Sequence, residues 1–219
     1  MKKIEILYKD HQLLIINKPS GIAIQSTDND QLSAIEIMEK KTGGPLFITH
    51  RLDQVTSGAC IFAKNKRTCA AINQSLQSGI VEKSYLAVVR TGIAKQEDSL
   101  EMKLVHNQKA RKAFLNPKGK LAKLDYSLLF SSDRYDLLQV KILEGRFHQI
   151  RCMLAEEGMP IKGDVKYGAR RSNKDRSIHL HAHTLAFPHP KTKEILHFSA
   201  PLPSENLWQF FAEQMESGQ

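Results

Sequence analysis

Cysteine is scarce and odd in number. Cys60, Cys69 and Cys152 are the only three, all in apolar stretches and with no CxxC spacing. Disulfide frameworks and cysteine-held zinc are thereby excluded, and reduced core thiols are expected. Long hydrophobic runs are also missing: stretches such as Tyr85 to Val89 stop at five residues, against roughly 20 for a membrane helix. No membrane span is expected. The amino end, Met1-Lys2-Lys3-Ile4-Glu5, has neither an apolar leader core nor a small-residue cleavage site, so the cytoplasm is the expected compartment. There is no Gly-rich phosphate loop, since Gly43-Gly44 lacks the lysine and the spacing. No GxSxG or Cys-His arrangement supports a hydrolase, and no HExxH a metalloprotease. Repeats, low-complexity tracts and Pro-, Gly- or Ser-rich linkers are absent too, so one domain over residues 1–219 is the simplest organisation.

Acidic residues are under-represented: 23 Asp plus Glu face 32 Lys plus Arg, a net charge of +9. With 41% hydrophobic and 25% charged residues, the chain has the balance of a folded globular protein rather than a disordered one. An excess of cations suits a polyanion, but its distribution matters more than its sum. From Lys103 to Leu124 the cations Lys103, Lys109, Arg111, Lys112, Lys118, Lys120 and Lys123 accompany no acid. From Lys162 to Arg176, Lys162, Lys166, Arg170, Arg171, Lys174 and Arg176 face only Asp164 and Asp175. Either segment could be a solvated loop, and either could be a nucleic-acid footprint.

Strands are expected at His11–Asn17, Gly58–Lys64, Tyr85–Val89, Tyr135–Leu143 and Ser177–Phe187, from β-branched and aromatic content and from alternation such as Leu138, Val140, Ile142. Apolar faces of helical spacing lie between them. Leu32, Ile35 and Met38 run up to Gly43; Cys69, Ile72 and Leu76 to Gly79; Phe147, Ile150 and Leu154 to Gly158. Trp208, Phe211 and Met215 mark a terminal helix docked on the body. Strands and helices without a strict βαβα rhythm predict an α+β fold, a mixed and mainly antiparallel central sheet flanked by helices.

Three stretches could carry chemistry. Thr49-His50-Arg51-Leu52-Asp53-Gln54-Val55-Thr56-Ser57-Gly58 sets charged residues between the apolar Leu46-Phe47-Ile48 and a buried-looking strand, which puts Asp53 on a connection at a sheet end. Taken alone, Asp53 reads better as a turn or cap residue than as a catalytic one. In Glu144-Gly145-Arg146-Phe147-His148-Gln149-Ile150-Arg151, His148 and Arg151 are three apart and share a helical face. A carboxylate beside such an arginine is held ionised and aimed. Lys83-Ser84-Tyr85 opens an apolar strand with an aromatic ring. His179, His181 and His183 alternate on one strand and could suit zinc, but no acidic ligand accompanies them and the same face continues into Leu185 and Phe187.

Taken together, these stretches resemble the RluA-type RNA pseudouridine synthases over nearly the whole chain. Asn17-Lys18-Pro19-Ser20-Gly21 is similar to that family's opening NKP-G motif. His50-Arg51-Leu52-Asp53 with Thr56-Ser57-Gly58 resembles the central motif, and Lys83-Ser84-Tyr85 the K-Y motif. Gly145 to Arg151 resembles GR-HQIR, and Pro160 to Asp164, Tyr167-Gly168 and Leu180-His181-Ala182 follow in family order. The resemblance implies an isomerase that turns uridine into pseudouridine in ribosomal or transfer RNA without metal or other cofactor. Asp53 would be the catalytic carboxylate, Tyr85 the ring against which a flipped base rests, and Arg151 the partner of Asp53. Arg51 would fill or contact the vacated stack, and His50 would bind RNA beside it.

Several members of that family carry an S4 RNA-binding domain; none is expected here, because the catalytic pattern begins by Ile4 to Asn17, so targeting is expected from the domain itself, through Lys109, Arg111 and Lys112 in the first basic segment and Arg170 and Arg171 in the second. A monomer with no obligate protein partner is expected. The competing readings are a non-catalytic RNA-binding protein or RNA chaperone on the same fold, and a metal enzyme built on the histidine strand.

Overall fold

A computed structural model describes residues 3–26 and 31–217; Met1 and Lys2 of the amino-terminal reading lie outside them. The first half of the chain forms β1 (Glu5–Lys9), β2 (Leu13–Lys18), α1 (Ala34–Thr42), β3 (Phe47–Ile48), β4 (Ser57–Ala63), α2 (Lys66–Gln77) and β5 (Glu82–Arg90). Then come β6 (Glu97–Asn107), β7 (Lys112–Leu115), β8 (Lys120–Ser131) and β9 (Tyr135–Ile142). After α3 (Gln149–Glu156) and a 3-10 turn at Val165–Tyr167, the chain closes with β10 (Leu180–Pro188), β11 (Ile195–Ser199) and α4 (Asn206–Ser217). These elements fall into two compact units.

The first unit, residues 1–83 and 182–201, is a sheet in the order β1-β2-β4-β10, with β3 on β4 and β11 on β10. The β1/β2, β2/β4, β3/β4 and β10/β11 pairs are antiparallel. Strand β4 is buried at all seven positions, as a continuous apolar run requires when both faces are covered. Leu13, Ile15, Ala59, Ile61 and Phe187 form its core with Ile72 of α2. The helices have conventional ends. Ser33 and Glu36 make a reciprocal capping box on α1, which stops at a left-handed Gly43. Asn65 caps α2 by accepting from the Thr68 N–H at 2.8 Å.

The second unit, residues 84–181 and 202–219, is an antiparallel sheet in the order β5-β9-β8-β6-β7. Leu86, Val88 and Leu137 receive Trp208 and Phe211 of α4, so the terminal helix docks by the apolar stripe its spacing predicts. The mainly antiparallel sheets with flanking helices make the fold α+β, as expected.

Several boundaries differ from the sequence reading. Strand β10 begins at Leu180 rather than Ser177, because Asp175 accepts from both the backbone N–H and the hydroxyl of Ser177 and holds that segment in a turn. Phe147 stays outside α3, whose start is set by a left-handed His148. The first basic segment is not a loop. It forms the end of β6, β7 and the start of β8, with Leu104, Ala122 and Leu124 inward and charged neighbours outward.

Candidate active site

The Asp53 loop belongs to the first unit and joins β3 to β4. Its carbonyl accepts from the Thr56 N–H at 3.1 Å, closing a turn that leaves Asp53 half-buried at the strand end. The NKP-G stretch grips this turn from below. Gly21, at φ +94°, donates its N–H to the Gln54 carbonyl at 2.7 Å, and the Gln54 amide returns a bond to the Gly21 carbonyl at 3.0 Å.

Lys18 is fully buried, and its ammonium donates to the carbonyls of Ile22 (2.9 Å), Pro19 (3.1 Å) and Gln54 (3.4 Å). A buried ammonium is tolerated only with such partners, so Lys18 ties two motifs into one rigid support next to Asp53. Gly58 completes it. At φ +116° a Cβ there would collide with the backbone of Ala182, so the TSG and LHA strings describe the two sides of one close approach between β4 and β10.

His50 serves the same support. Its Nε2 accepts from the Ile61 N–H at 3.1 Å, which places its proton on Nδ1. Burial, reinforced by the charge of Lys83, lowers its pKa to about 4. Arg51 is exposed.

Tyr85 and Arg151 belong to the second unit. Tyr85 lies on β5 opposite Val140 of β9, 8% exposed. Arg151 is buried in the first turn of α3. Asp164 holds it in a fork: Nε donates to Oδ2 at 2.7 Å and Nη2 to Oδ1 at 2.8 Å. Nη1 lies 2.9 Å from His148 Nε2. An arginine can only donate, so His148 accepts there and carries its proton on Nδ1, 2.9 Å from the Tyr167 hydroxyl. That hydroxyl also accepts from the Ala113 N–H at 2.7 Å, and burial raises its pKa. The Tyr167 ring lies 5.1 Å from the Arg151 guanidinium carbon and 4.8 Å from Lys112 Nζ.

The GR-HQIR string thus has a local purpose. Gln149 accepts from the Arg146 N–H at 2.9 Å and donates to the Lys123 carbonyl at 2.9 Å, replacing a missing side-chain cap and fixing the rotation of α3. Arg151 is aimed by Asp164 and His148 of its own unit.

Sequence reasoning did not single out Asp164 as the carboxylate that clamps Arg151, nor Lys18 as a buried tie. Both stood inside matching strings, but nothing in their spacing shows burial. The expected RNA-contacting residues separate by environment. Lys109 and Arg111 are exposed in the β6–β7 turn, Lys112 is half-buried against Tyr167, and Arg170 and Arg171 are exposed after the 3-10 turn. The histidines have other uses: His179 bonds to Asn173 (3.0 Å) and Glu205 (2.8 Å), and His183 to the Ala200 carbonyl at 3.2 Å. Among the described residues no cluster of His, Cys, Asp and Glu is arranged to hold a metal ion. The three cysteines are free thiols, with burial pushing Cys60 up to about 12 and Cys152 up to about 11.

A family model described as RNA pseudouridylate synthase matches residues 12–156, a span that takes in the Asp53 loop, Tyr85 and Arg151. The chain belongs to the RNA pseudouridylate synthase family. A synthase relative from Haemophilus ducreyi, tRNA pseudouridine synthase C, is 33% identical over 97% of this chain and 96% of its own length. The ribosomal large subunit pseudouridine synthase C of Buchnera aphidicola is 34% identical over 90% of this chain and 67% of its own. Among solved structures, human RNA pseudouridylate synthase domain containing 4 superposes with a TM-score of 0.76 at 24% identity, covering 97% of this chain and 92% of that one. Domain containing 1 gives 0.78, also at 24% identity, over 94% and 86%. These two establish the fold alone. Family membership makes this pseudouridylate synthase an isomerase that converts uridine to pseudouridine in RNA. Among the described residues no helix is long and apolar enough to cross a membrane.

Proposed function

We propose that the chain isomerises particular uridines in structured RNA, transfer RNA first, with Asp53 as the catalytic carboxylate. Transfer RNA is favoured because the relative that matches this chain nearly end to end is named for it, whereas the ribosomal one is longer. Residues 1–219 are read as a single catalytic domain, in which Asp53, Tyr85 and Arg151 are the residues assigned to the reaction.

The reaction breaks the N1–C1′ bond, turns the uracil and forms C5–C1′. The proton on C5 leaves and N1 gains one, so nothing is consumed. Asp53 either attacks C1′, adds to C6 or removes the 2′ proton. Arg151 holds the carboxylate ionised and aimed. A base inside a stack is out of reach and must be flipped out, Arg51 takes its place with a planar guanidinium, and Tyr85 offers the loosened ring a face. His50 and Arg51 meet RNA near the target base; Lys109, Arg111, Lys112, Arg170 and Arg171 grip phosphates. RNA of this kind is met in the cytoplasm, where we place the enzyme, as a monomer.

The observation that supports this reading most is the investment in the Asp53 turn. A buried ammonium and a two-way glycine contact hold it, more than an incidental surface turn requires. A non-catalytic RNA chaperone would have no use for that rigidity. Mapping pseudouridine in transfer and ribosomal RNA with and without the gene tests the proposal. At least one site should vanish on deletion and return with the gene, and unchanged maps would refute it.

A further inference from the structure

Phe147 lies between Arg146 and His148 in the GR-HQIR stretch, and its ring is sandwiched. On one side lies His148, centroids 3.9 Å apart and planes 17° from parallel; on the other lies His106, at 3.8 Å and 29°. Two rings nearly parallel to a third at such spacing must take opposite faces of it, because on one face they would overlap. The three form a column. Its inner end is anchored at the arginine site, since His148 bonds Arg151 and Tyr167. Its outer end, His106, is exposed near the tip of β6, and among the described residues no second ring covers it.

A histidine at the open end of an aromatic column is wasted on packing. Ala113, its cross-strand neighbour, is buried and would hold the strand pair without it. The surroundings are cationic: Lys109 and Arg111 stand exposed in the turn that follows, and Lys166 is tethered to the Arg111 carbonyl at 3.1 Å. An open π face within a cationic rim is the combination that binds unpaired nucleotides. Rings stack on bases and the cations follow the phosphates.

Resting on the reading of this chain as an RNA enzyme, we propose that His106 is a base-stacking platform. An unpaired RNA base other than the target uridine continues the column His106–Phe147–His148 outward, and its phosphates face Lys109 and Arg111. The column carries that contact to the residues that hold Arg151, so a correctly seated neighbour base also steadies the arginine. His106 and Phe147 are positioning residues, not catalytic ones.

The test measures binding of a 12-nucleotide unpaired RNA of mixed sequence to wild type, His106→Ala and His106→Trp across a salt series. Loss of one stacking contact should weaken the His106→Ala complex on the order of tenfold. The salt slope should not change, because stacking releases no counterions. His106→Trp restores a ring, so its affinity should return to the wild-type range and its new indole should be quenched by RNA; buried Trp208 supplies a constant background. Wild-type affinity in His106→Ala, a loss that travels with the salt slope, or an unquenched Trp would each overturn the platform. Mapping pseudouridine in cellular RNA separates the two proposals. Sites that depend on the gene alongside a failed stacking test would leave the synthase reading standing and remove His106 from it.

Discussion

At the scale of single residues, the site depends on charges taken out of water and then fully partnered. Arg151 and Asp164 have side chains only 6% and 2% exposed, so their fork is a buried ion pair. Breaking such a pair leaves a stranded charge, which typically costs about 3–5 kcal/mol. Arg151→Ala should therefore lower stability by that amount in urea titration as well as remove activity. Lys18 allows a cleaner separation. Lys18→Met keeps the volume but strands three carbonyls, for about 1–3 kcal/mol. Because the loosened part is the Asp53 turn, kcat should fall much more than RNA affinity, as single-turnover kinetics beside a binding titration would reveal.

At the scale of elements, RNA recognition is proposed for the β6–β7 hairpin. The β6–β7 hairpin lifts Lys109 and Arg111 out on a turn closed by the Arg111 N–H to the Gln108 carbonyl at 3.2 Å. Replacing both with glutamine should reduce the slope of log affinity against log salt by roughly 1.4, about 0.7 per phosphate contact on single-stranded RNA. Melting temperature should hardly move. This hairpin was also the least legible part of the sequence. Strands such as β4 and β9 announce themselves through apolar runs and alternation. In β6 and β8 the inward positions do alternate, Leu100, Met102, Leu104 and Ala122, Leu124, Tyr126, but the outward Glu101, Lys103, Lys123 and Asp125 give the stretch the look of a charged loop. Helix ends were easier, since Gly43 and Gly158 stop the chain through backbone freedom that a sequence displays openly. The site was legible as strings of motif, not as contacts. Asp53 could be placed at a sheet end from its flanks, but the tie from Lys18 and the fork from Asp164 depend on burial, which only the folded chain reveals.

For the molecule as a whole, buried neutral histidines govern acid stability. Burial lowers the pKa of His50 to about 4, and it lowers those of His179 and His183 as well. The unfolded chain takes up these protons near 6.5, while the folded one resists until His50 reaches about 4. Their stabilising effect is thus fully present above pH 6.5 and is lost as the pH falls from 6.5 towards 4. With His50 in the first unit and His179 in the second, both units weaken together. The melting temperature should drop between pH 7.5 and pH 5, and His50→Gln, which keeps an acceptor for the Ile61 N–H, should make that drop smaller.

Net charge belongs to the same scale. Of the 32 Lys and Arg, Lys18 and Arg151 are consumed inside the fold, while Lys109, Arg111, Arg170 and Arg171 are exposed and are the ones proposed to meet phosphate. The central claim, however, concerns one carboxylate. Asp53→Asn is isosteric and keeps the turn, so it should fold and bind RNA as the wild type does. Incubated with transfer RNA from cells lacking the gene, the wild type should form pseudouridine at the sites the deletion lost, and Asp53→Asn should form none. Pseudouridine at those sites from the folded Asp53→Asn protein would contradict the account.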